Sequence, residues 1–455
     1  MRATSSTVQP GTDTAAPGSR LARRLSLSDV LVYGLLYFCP LAPTAVFGIV
    51  YGMSGGMAAL VYAVAALAMT FSAISYSEMA KSVNVSGSVY RYVSLGTNAF
   101  TGFVTGWLIL LDYFLLPALL SILTAIGMVL QFPESSRGFW ILMFIWLPAL
   151  LNIIGLKLTL RVNKLFLLVQ LVTLGVFFVY SLWGVFQHSH ATGLLTPIWD
   201  GQRFELLAIL SAIPVAALSF VGFDAISALN EEASGGGRTI SRATLMLLLL
   251  VSLLFFAQVY LVNLFVPAGT QYDTEQAETA FYSLSRDIVG AWFQPIMIVV
   301  AGTVSGVANA IVSQMTTSRL IFSMARDGRF PASLARLDRR GNPVAALLFV
   351  AIVSSVIGLV AANQVQLLVT LVTFGALFAY ITLHISLFHR FRKHPERHWF
   401  KHVVSPLAGI LILVAALASM NDNARWLGGA WLCIGLVLAL ILHRQGRLGS
   451  LPLDQ

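Results

Sequence analysis

Charged side chains are scarce in this sequence: only 10% of its 455 residues are Asp, Glu, Lys or Arg, whereas soluble domains carry about 25%. Hydrophobic residues make up 57% of the chain, and the mean hydropathy is +0.82. This combination excludes a soluble globular protein and predicts a polytopic membrane protein. The net charge of +9 does not indicate a nucleic-acid partner, because the basic residues lie between apolar segments rather than on one face.

Cysteine is equally rare, since only Cys39 and Cys433 are present and both lie in apolar stretches. The sequence therefore predicts neither a disulfide nor a cysteine metal site. The GGGR sequence at 235–238 lacks the preceding strand that a phosphate-binding loop requires, and no pair of His residues has a convincing metal-ligand spacing. We therefore expect no enzymatic activity, no metal and no cofactor.

Apolar windows of about 20 residues, the length typical of transmembrane helices, recur along the chain. Residues 1–24 are rich in Ser, Thr, Ala, Gly and Pro and predict a disordered tail, without the short apolar core of a cleavable signal peptide. The longer connections, near 80–97, 187–204, 267–289 and 326–342, are each predicted to be able to hold a short amphipathic or gating helix. The twelve predicted spans are 28–51, 56–79, 98–130, 139–156, 163–186, 205–232, 240–266, 290–324, 343–361, 365–390, 402–420 and 424–443.

Basic residues are distributed unevenly across the predicted loops. If the N-terminus is cytoplasmic, only four of the 28 Lys and Arg residues, Arg137, Arg203, Arg286 and Arg425, lie outside. Membrane proteins show this asymmetry because positive loops stay in the cytoplasm. The pattern predicts an even number of spans with both termini cytoplasmic.

The sixth predicted span contains an unusual polar stretch, residues 219–233, with the sequence SFVGFDAISALNEEA. Burial of Asp224 near the bilayer centre costs at least about 2.5–3.5 kcal/mol. Either a paired, inward-facing carboxylate or a helix break that holds a substrate would explain it. The crowding of Gly222, Asp224 and Ser227, downstream of Pro214, favours the break.

The first predicted span contains a second break, YFCPLAPT at 37–44. Pro40 and Pro43 lack an N–H, which leaves the carbonyls near residues 36 and 39 as acceptors and favours a cationic group, although a proline kink for packing is the alternative. Interrupted helices at matching places in two halves are typical of inverted-repeat transporters. Spans one to five and six to ten would then be the repeats, with spans eleven and twelve outside them.

The third predicted span carries Asp112 and Tyr113 on adjacent positions. Carboxylates and aromatic faces both bind alkylammonium groups, but adjacent helical side chains point about 100° apart. We therefore expect only one of them, preferably Tyr113, to face a ligand.

Two further sets of residues remain open between two interpretations. Glu231 and Glu232, at the predicted cytoplasmic end of span six, either face water or belong to an inner gate. A polar stripe on span eight either joins helices or coordinates an ion. The stripe consists of Ser305, Asn309 and Ser313.

Together these motifs resemble the amino acid–polyamine–organocation (APC) superfamily of permeases, and most closely its branch of bacterial putrescine importers. The resemblance covers roughly residues 25–390 and is specific for the superfamily more than for a substrate. The motifs are GLLYFCPLAPTAVFGIVYG, GSVYRYV, GWLILLDYFLLP, SFVGFDAISALNEEA and SRLIFSMARDGRFP.

The resemblance implies an all-α membrane fold of the leucine-transporter type, with five-plus-five inverted repeats at about 28–186 and 205–390. Helices at 391–443 and a cytoplasmic tail at 444–455 would follow this 25–390 core. Substrate would bind between the broken first and sixth helices. The implied substrate site comprises Tyr37, Cys39, Pro40, Pro43, Thr44, Tyr113, Phe220, Gly222, Phe223, Asp224 and Ser227.

The resemblance also implies coupling to a proton, with sodium as the alternative. Gln170 stands where some proton-coupled relatives carry a lysine, and Ala45 where putrescine importers carry an acidic residue. The loss of that acidic residue weakens the expectation of putrescine and favours a monoamine or an amino acid. Candidate coupling or gate residues are Asp112, Gln170, Asp224, Glu231, Glu232, Ser305, Asn309 and Ser313.

We therefore expect a secondary active transporter of the bacterial cytoplasmic membrane that imports a small amine, such as putrescine, or an amino acid by alternating access. The lipid bilayer and the small substrate are the expected partners, and no nucleic acid is expected. An exchanger of the same fold, and a membrane sensor built on it, are the alternatives.

Overall fold

A computed structural model describes residues 26–82, 88–154, 156–223, 226, 233–326, 328, 330–338, 341–446 and 448. This part of the chain is helical and contains no β-strand. The first eight α-helices are α1 Leu27–Phe38, α2 Phe47–Met53, α3 Ala58–Ser82, α4 Ser88–Gly96, α5 Ala99–Gln131, α6 Arg137–Ile154, α7 Leu156–Phe186 and α8 Leu206–Leu218. The next eight are α9 Gly236–Leu264, α10 Thr274–Val289, α11 Phe293–Met297, α12 Ser305–Arg326, α13 Val344–Val360, α14 Val365–Phe391, α15 Ser405–Ala418 and α16 Asp422–Arg444.

Nine helical segments within the described ranges are long and apolar enough to cross a membrane. Three shorter apolar helices, Leu27–Leu36, Leu206–Leu218 and Val344–Val360, lie where the sequence predicts spans one, six and nine. The described part of the chain is therefore that of a helical membrane protein, and its longest apolar segments follow the predicted spans. The helix of span nine is short but continuous, whereas the helices that begin spans one and six end at Phe38 and Leu218.

The first predicted span is divided into two helices. α1 ends at Phe38, two residues before Pro40, and α2 begins at Phe47. Residues 42–45 form a single 3₁₀ turn between them. We call residues 39–46, which join the two helices, the helix-one break.

The sixth predicted span begins with α8, which ends at Leu218. Turns follow as far as Phe223. Asp224, Ser227, Glu231 and Glu232 lie outside the described residues.

The eighth predicted span is not a uniform helix. A short α11 passes into a π-helical segment, Ile298–Val304, before α12 begins at Ser305. π-helical turns inside helices frequently occur at functional sites. Here the π-helical segment packs against α5, the longest helix, which has 33 residues.

Buried polar side chains join helices that are distant in sequence. The imidazole of His384 on α14 lies 3.2 Å from Oγ of Ser72 and 2.8 Å from Oγ of Ser75, both on α3. The hydroxyl groups of Tyr62 on α3 and Ser219 after α8 are 2.8 Å apart. Hydrogen bonds between helices of this kind stabilise membrane proteins, where lipid tails offer no competing partner.

Candidate functional site

A cavity lies between the helix-one break, α5, the end of α8, α10 and the segment from Ala301 to Asn309. We call it the central cavity. Leucine side chains of α5 form much of its wall, and most of the remaining lining is apolar. Its polar lining residues are Cys39, Thr44, Thr124, Ser219, Glu278, Tyr282 and Asn309.

The helix-one break turns at Cys39, whose φ of 53° places it in the left-handed region that residues other than glycine rarely adopt. This conformation ends α1 and directs the chain away from the helix axis. The carbonyl of Leu36 accepts the N–H of Cys39 at 3.3 Å, and the carbonyl of Cys39 accepts the N–H of Ala42 at 2.8 Å. The carbonyls that the prolines were expected to expose thus each accept a hydrogen bond in the turn.

Two buried amide side chains hold the break in place from neighbouring helices. Nε2 of Gln258, on α9, donates to the carbonyl of Pro40 at 3.2 Å. The thiol of Cys39 donates to Oε1 of Gln170, on α7, at 3.8 Å. Gln258 and Gln170 are both fully buried. The break is therefore fixed by α7 and α9 together, and Gln170, predicted as a coupling residue, contacts the cavity-lining Cys39.

Thr44 and Tyr282 form the polar end of the cavity beside the break. Oγ1 of Thr44 donates to the carbonyl of Leu41 at 2.7 Å and also interacts with the Tyr282 hydroxyl. Burial raises the pKa of Tyr282 to about 12. The phenol consequently remains protonated at neutral pH and can donate a hydrogen bond.

Glu278 brings a carboxylate to the central cavity from α10. It is half-buried, and no hydrogen-bond donor of the described residues lies within reach of its carboxylate. Burial raises the pKa of Glu278, the positive charge of Arg137 opposes this shift, and the negative charge of Glu275 adds to it. Glu278 is the one ionisable carboxylate among the described lining residues.

α10 is held over the cavity by close packing on α2. A Cβ at Gly48 would clash with the backbone of Ala277 and would lie 2.8 Å from Cβ of Ala280. The ring of Phe281 packs on Phe47 at 5.9 Å and on Phe177 at 5.1 Å. Asp273 caps the N-terminus of α10 and closes a capping box with Gln276.

Sequence reasoning predicted a helix in 267–289 but did not single out Glu278 or Tyr282. The two residues are four apart, so they share one helical face. That spacing within an amphipathic segment was the available signal. The sequence alone did not show that this face of α10 points into the cavity, because its orientation depends on the contact between Gly48 and α10.

α5 and α12 approach closely at the opposite wall of the cavity. A Cβ at Gly306 would clash with Oγ1 of Thr124, whereas a Cβ at Gly302 would have no neighbour within 4 Å. Asn309 lines the cavity one turn further along α12. Of the predicted polar stripe, Ser313 is fully buried away from the lining, and the side chain of Ser305 lies outside the described residues.

The remaining predicted substrate residues lie behind the lining. Phe220 packs on Phe255 at 5.2 Å, and Phe223 packs on Tyr76 and Tyr380, both at 5.1 Å. Their aromatic contacts brace the chain that follows α8.

Gly222, Pro40 and Pro43, which were predicted to bind substrate, also lie outside the cavity lining. Gly222 has a φ of 127°, which a side chain would strain, and it follows the cavity-lining Val221. Pro40 and Pro43 belong to the break, but the lining is formed by their neighbours. The side chain of Tyr37 lies outside the described residues.

Asp112 and Tyr113 are both fully buried within the helix bundle rather than in the cavity lining. The carbonyl of Tyr113 accepts Oγ1 of Thr317, on α12, at 3.0 Å. α5 instead presents residues 116–126 to the cavity. The structure therefore brings Cys39, Thr44 and Asn309 together and leaves Asp112 and Tyr113 about one turn before Leu116, the first lining residue of α5.

Among the described residues, no three His, Cys, Asp or Glu side chains come together to hold a metal ion. Hydroxyl, amide and phenol groups and one carboxylate line an otherwise apolar cavity. Such a lining suits a small organic molecule with an apolar body and polar ends.

Known proteins with similar sequences are permeases and transporters of small molecules. A family model for amino acid permeases matches residues 30–439. The chain is 27% identical over 440 residues to the low-affinity putrescine importer PlaP of Escherichia coli (strain K12), covering 94% of this chain and 95% of that protein. It is 26% identical over 418 residues to the branched-chain amino acid permease BcaP of Bacillus subtilis (strain 168), covering 84% and 85%. It is 24% identical over 354 residues to cationic amino acid transporter 4 of Mus musculus, covering 72% and 53%.

Proposed function

This chain belongs to the amino acid permease family, and we propose that it imports a small amine or amino acid across the bacterial inner membrane by secondary active transport. Its relatives are permeases and transporters, so the protein is a transporter rather than an enzyme. We propose import as the direction of transport, a small amine or amino acid as the substrate, and a proton as the coupling ion.

The observation that carries this proposal is the central cavity beside the helix-one break. A helix interrupted inside a membrane is tolerated where it is buried in protein or lines a cavity. Thr44, Tyr282 and Asn309 supply neutral hydrogen-bonding groups, and leucines of α5 supply an apolar wall. An amine or amino acid would place its polar groups on the former and its carbon chain on the latter.

We place this cavity in a twelve-span bundle with both termini in the cytoplasm. α1 and α2 would form the broken first span, and α8 would begin the broken sixth. Alternating access would then be a movement of the broken helices against α5 and α12, which opens the cavity to each side in turn.

We further propose that the movement is coupled to a proton. Asp224 remains the candidate for the group that either pairs with the substrate or carries the proton, and Glu231 and Glu232 remain candidates for an inner gate. Gln170 cannot itself ionise, but its contact with Cys39 connects α7 to the break. A proton-linked change at a neighbouring group would thus reach the cavity through this contact.

The test is uptake of radiolabelled putrescine, lysine and leucine by the purified protein in liposomes. Accumulation in substrate-free vesicles, driven by an inward proton gradient and abolished by a protonophore, is the expected result. Stimulation by a sodium gradient alone would replace the proton as the coupling ion. Uptake only into vesicles preloaded with substrate would identify an exchanger, and specific binding without uptake would identify a sensor.

Asp224→Asn tests the two roles proposed for that residue. Loss of uptake with retained exchange of internal for external substrate is expected if Asp224 carries the proton. Loss of substrate binding is expected if it pairs with the substrate. Unchanged coupled uptake would remove Asp224 from the mechanism. The control is Asp422→Asn, which changes an exposed carboxylate at the start of α16.

A further inference from the structure

We propose that Glu278 selects the charge of the substrate, by binding a cationic amino group at the α10 side of the central cavity. The preferred substrate would then carry net positive charge, as a diamine or another alkylammonium does, rather than being a neutral zwitterion. This inference rests on the proposed function, because it assigns a substrate class to the same cavity.

The charge of the cavity lining favours a cation. Among the described residues that line the cavity, Glu278 carries a carboxylate and no Lys, Arg or His is present. A net-neutral amino acid would bring its own carboxylate into this cavity, where no cationic side chain of the described lining would balance it. An ammonium group, by contrast, would find a counter-charge.

The Glu278 carboxylate retains its capacity to accept hydrogen bonds from a ligand. No donor of the described residues is within hydrogen-bond distance, although the residue is half-buried. A partly buried carboxylate gains most from a cation brought into direct contact, since the local dielectric is lower than in water. A bound ammonium group would provide both the charge and the N–H donors.

The surroundings of the Glu278 carboxylate suit the carbon chain of an alkylammonium. Leu116, Leu119, Leu120 and Leu123 line the same cavity from α5. They offer an alkyl chain an apolar surface, while Thr44 and Tyr282 offer oxygen atoms near the break. An ammonium group bound to Glu278, with its carbon chain on the leucines, fits this lining.

Arg137 provides a second test, in which the affinity for amines is expected to rise rather than fall. Its positive charge acts on Glu278 from the start of α6, but the two residues form no ion pair in the structure described here. The guanidinium donates instead to Oδ1 of Asn363 at 3.2 Å. Arg137 therefore repels a cation that approaches Glu278 without occupying its place.

The experiment measures binding of putrescine, butylamine and leucine to the full-length protein in lipid nanodiscs. For Glu278→Gln, the affinity for putrescine should fall by about tenfold or more, the usual effect of losing a charged hydrogen-bond partner. Butylamine should show a similar loss, and the affinity for leucine should change by less than about twofold on the same scale. Glu278→Asp should retain part of the amine affinity.

Two further variants complete the design. Asp287→Asn removes an exposed carboxylate from the same helix that is not among the charges acting on Glu278, and it should leave all three affinities unchanged. Arg137→Gln should increase the affinity for both amines, because a repulsive charge is removed. This variant keeps the proposal testable should Glu278→Gln fail to fold, which thermal melting of each protein would reveal.

Equal losses for amines and leucine in Glu278→Gln, or no change in any of them, would overturn the role of Glu278. Tight leucine binding by the wild-type protein, with no amine binding, would also overturn it but leave an amino acid transporter intact. Failure of the wild-type protein to bind or transport any of the tested amines and amino acids would contradict the proposed function itself.

Discussion

The indole rings of Trp107 and Trp431 stack at 4.5 Å with an interplanar angle of 17°, and each ring N–H donates to the other residue's main-chain carbonyl at 2.9 Å. This reciprocal pair joins α16 to α5, the helix whose next turns line the central cavity. A helix predicted to lie outside the repeats is thereby attached to the wall of the candidate site. A Cβ at Gly435 would clash with the Trp107 ring, so the pair also requires a glycine on α16.

Trp431→Phe should lower stability slightly, and Trp431→Ala should lower it more. The Phe ring keeps the stacking but loses one interhelical hydrogen bond, which averages about 0.6 kcal/mol in membrane proteins. Alanine also loses the aromatic contact, worth about a further 0.5–1.5 kcal/mol in addition to the buried area. Thermal melting in detergent measures both. Trp426→Ala, at a residue of the same helix that is 80% exposed, should have little effect, and an equal loss there would contradict the assignment.

Cys39 should be protected from thiol reagents by substrate. Its side chain lines the cavity, whereas Cys433 is exposed on α16, so a Cys433→Ser background leaves Cys39 as the one thiol in the sequence. The rate of labelling by a small methanethiosulfonate reagent should fall in the presence of any solute that the protein transports. The double variant with Cys39→Ser gives the background rate. If transported substrates do not slow the labelling of Cys39, the central cavity is not part of the transport pathway.

Substitutions at Gly302 and Gly306 should have opposite effects on stability and uptake. A leucine at Gly302 would extend into open space in the cavity, so uptake should fall strongly while the melting temperature stays unchanged. Even one methylene of excess size changes discrimination by about 1–3 kcal/mol. Gly306→Ala would clash with Thr124 and should cost about 1–3 kcal/mol of stability. Normal uptake by Gly302→Leu would show that substrate does not occupy this part of the cavity.

Putrescine binding should weaken in mildly acidic solution. Burial raises the pKa of Glu278, against the opposing effect of Arg137 and with a further increase from Glu275. The carboxylate therefore takes up its proton, and loses its attraction for a cation, at a pH where an exposed glutamate is still ionised. Affinities measured in nanodiscs between about pH 5 and pH 8, in the absence of a proton gradient, should fall with decreasing pH. In Glu278→Gln this part of the pH dependence should be absent, and its persistence would assign it to another group.

The helical, membrane-spanning character and the first break could be predicted from the sequence because each depends on local chemistry. Apolar length predicts the long helices, and Pro40 and Pro43 cannot continue α1. The left-handed turn at Cys39 could not be predicted in this way, since cysteine has no preference for that conformation. It is maintained by side chains from elsewhere, among them Gln258 and Gln170.

The candidate site was only partly accessible to the same reasoning. Thr44 and Asn309 stood out as polar residues in apolar helices, and both line the cavity. Asp112 stood out for the same reason but lies away from it, because a helix position alone does not say which neighbours it will meet. Glu278 was not predicted, because carboxylates are common in polar connections between helices. Its place in the cavity lining depends on the packing of α10 on α2 at Gly48.

The hydrogen bond from Gln258 to the Pro40 carbonyl has a practical consequence for following the protein in action. It ties the helix-one break to α9, on which Met246 and Leu250 are exposed. A spin label on either residue, combined with a second label at the exposed Leu359 at the end of α13, would allow the distance between α9 and α13 to be measured. Distance distributions recorded with and without substrate would then show whether α9, which is hydrogen-bonded to the break, moves relative to α13.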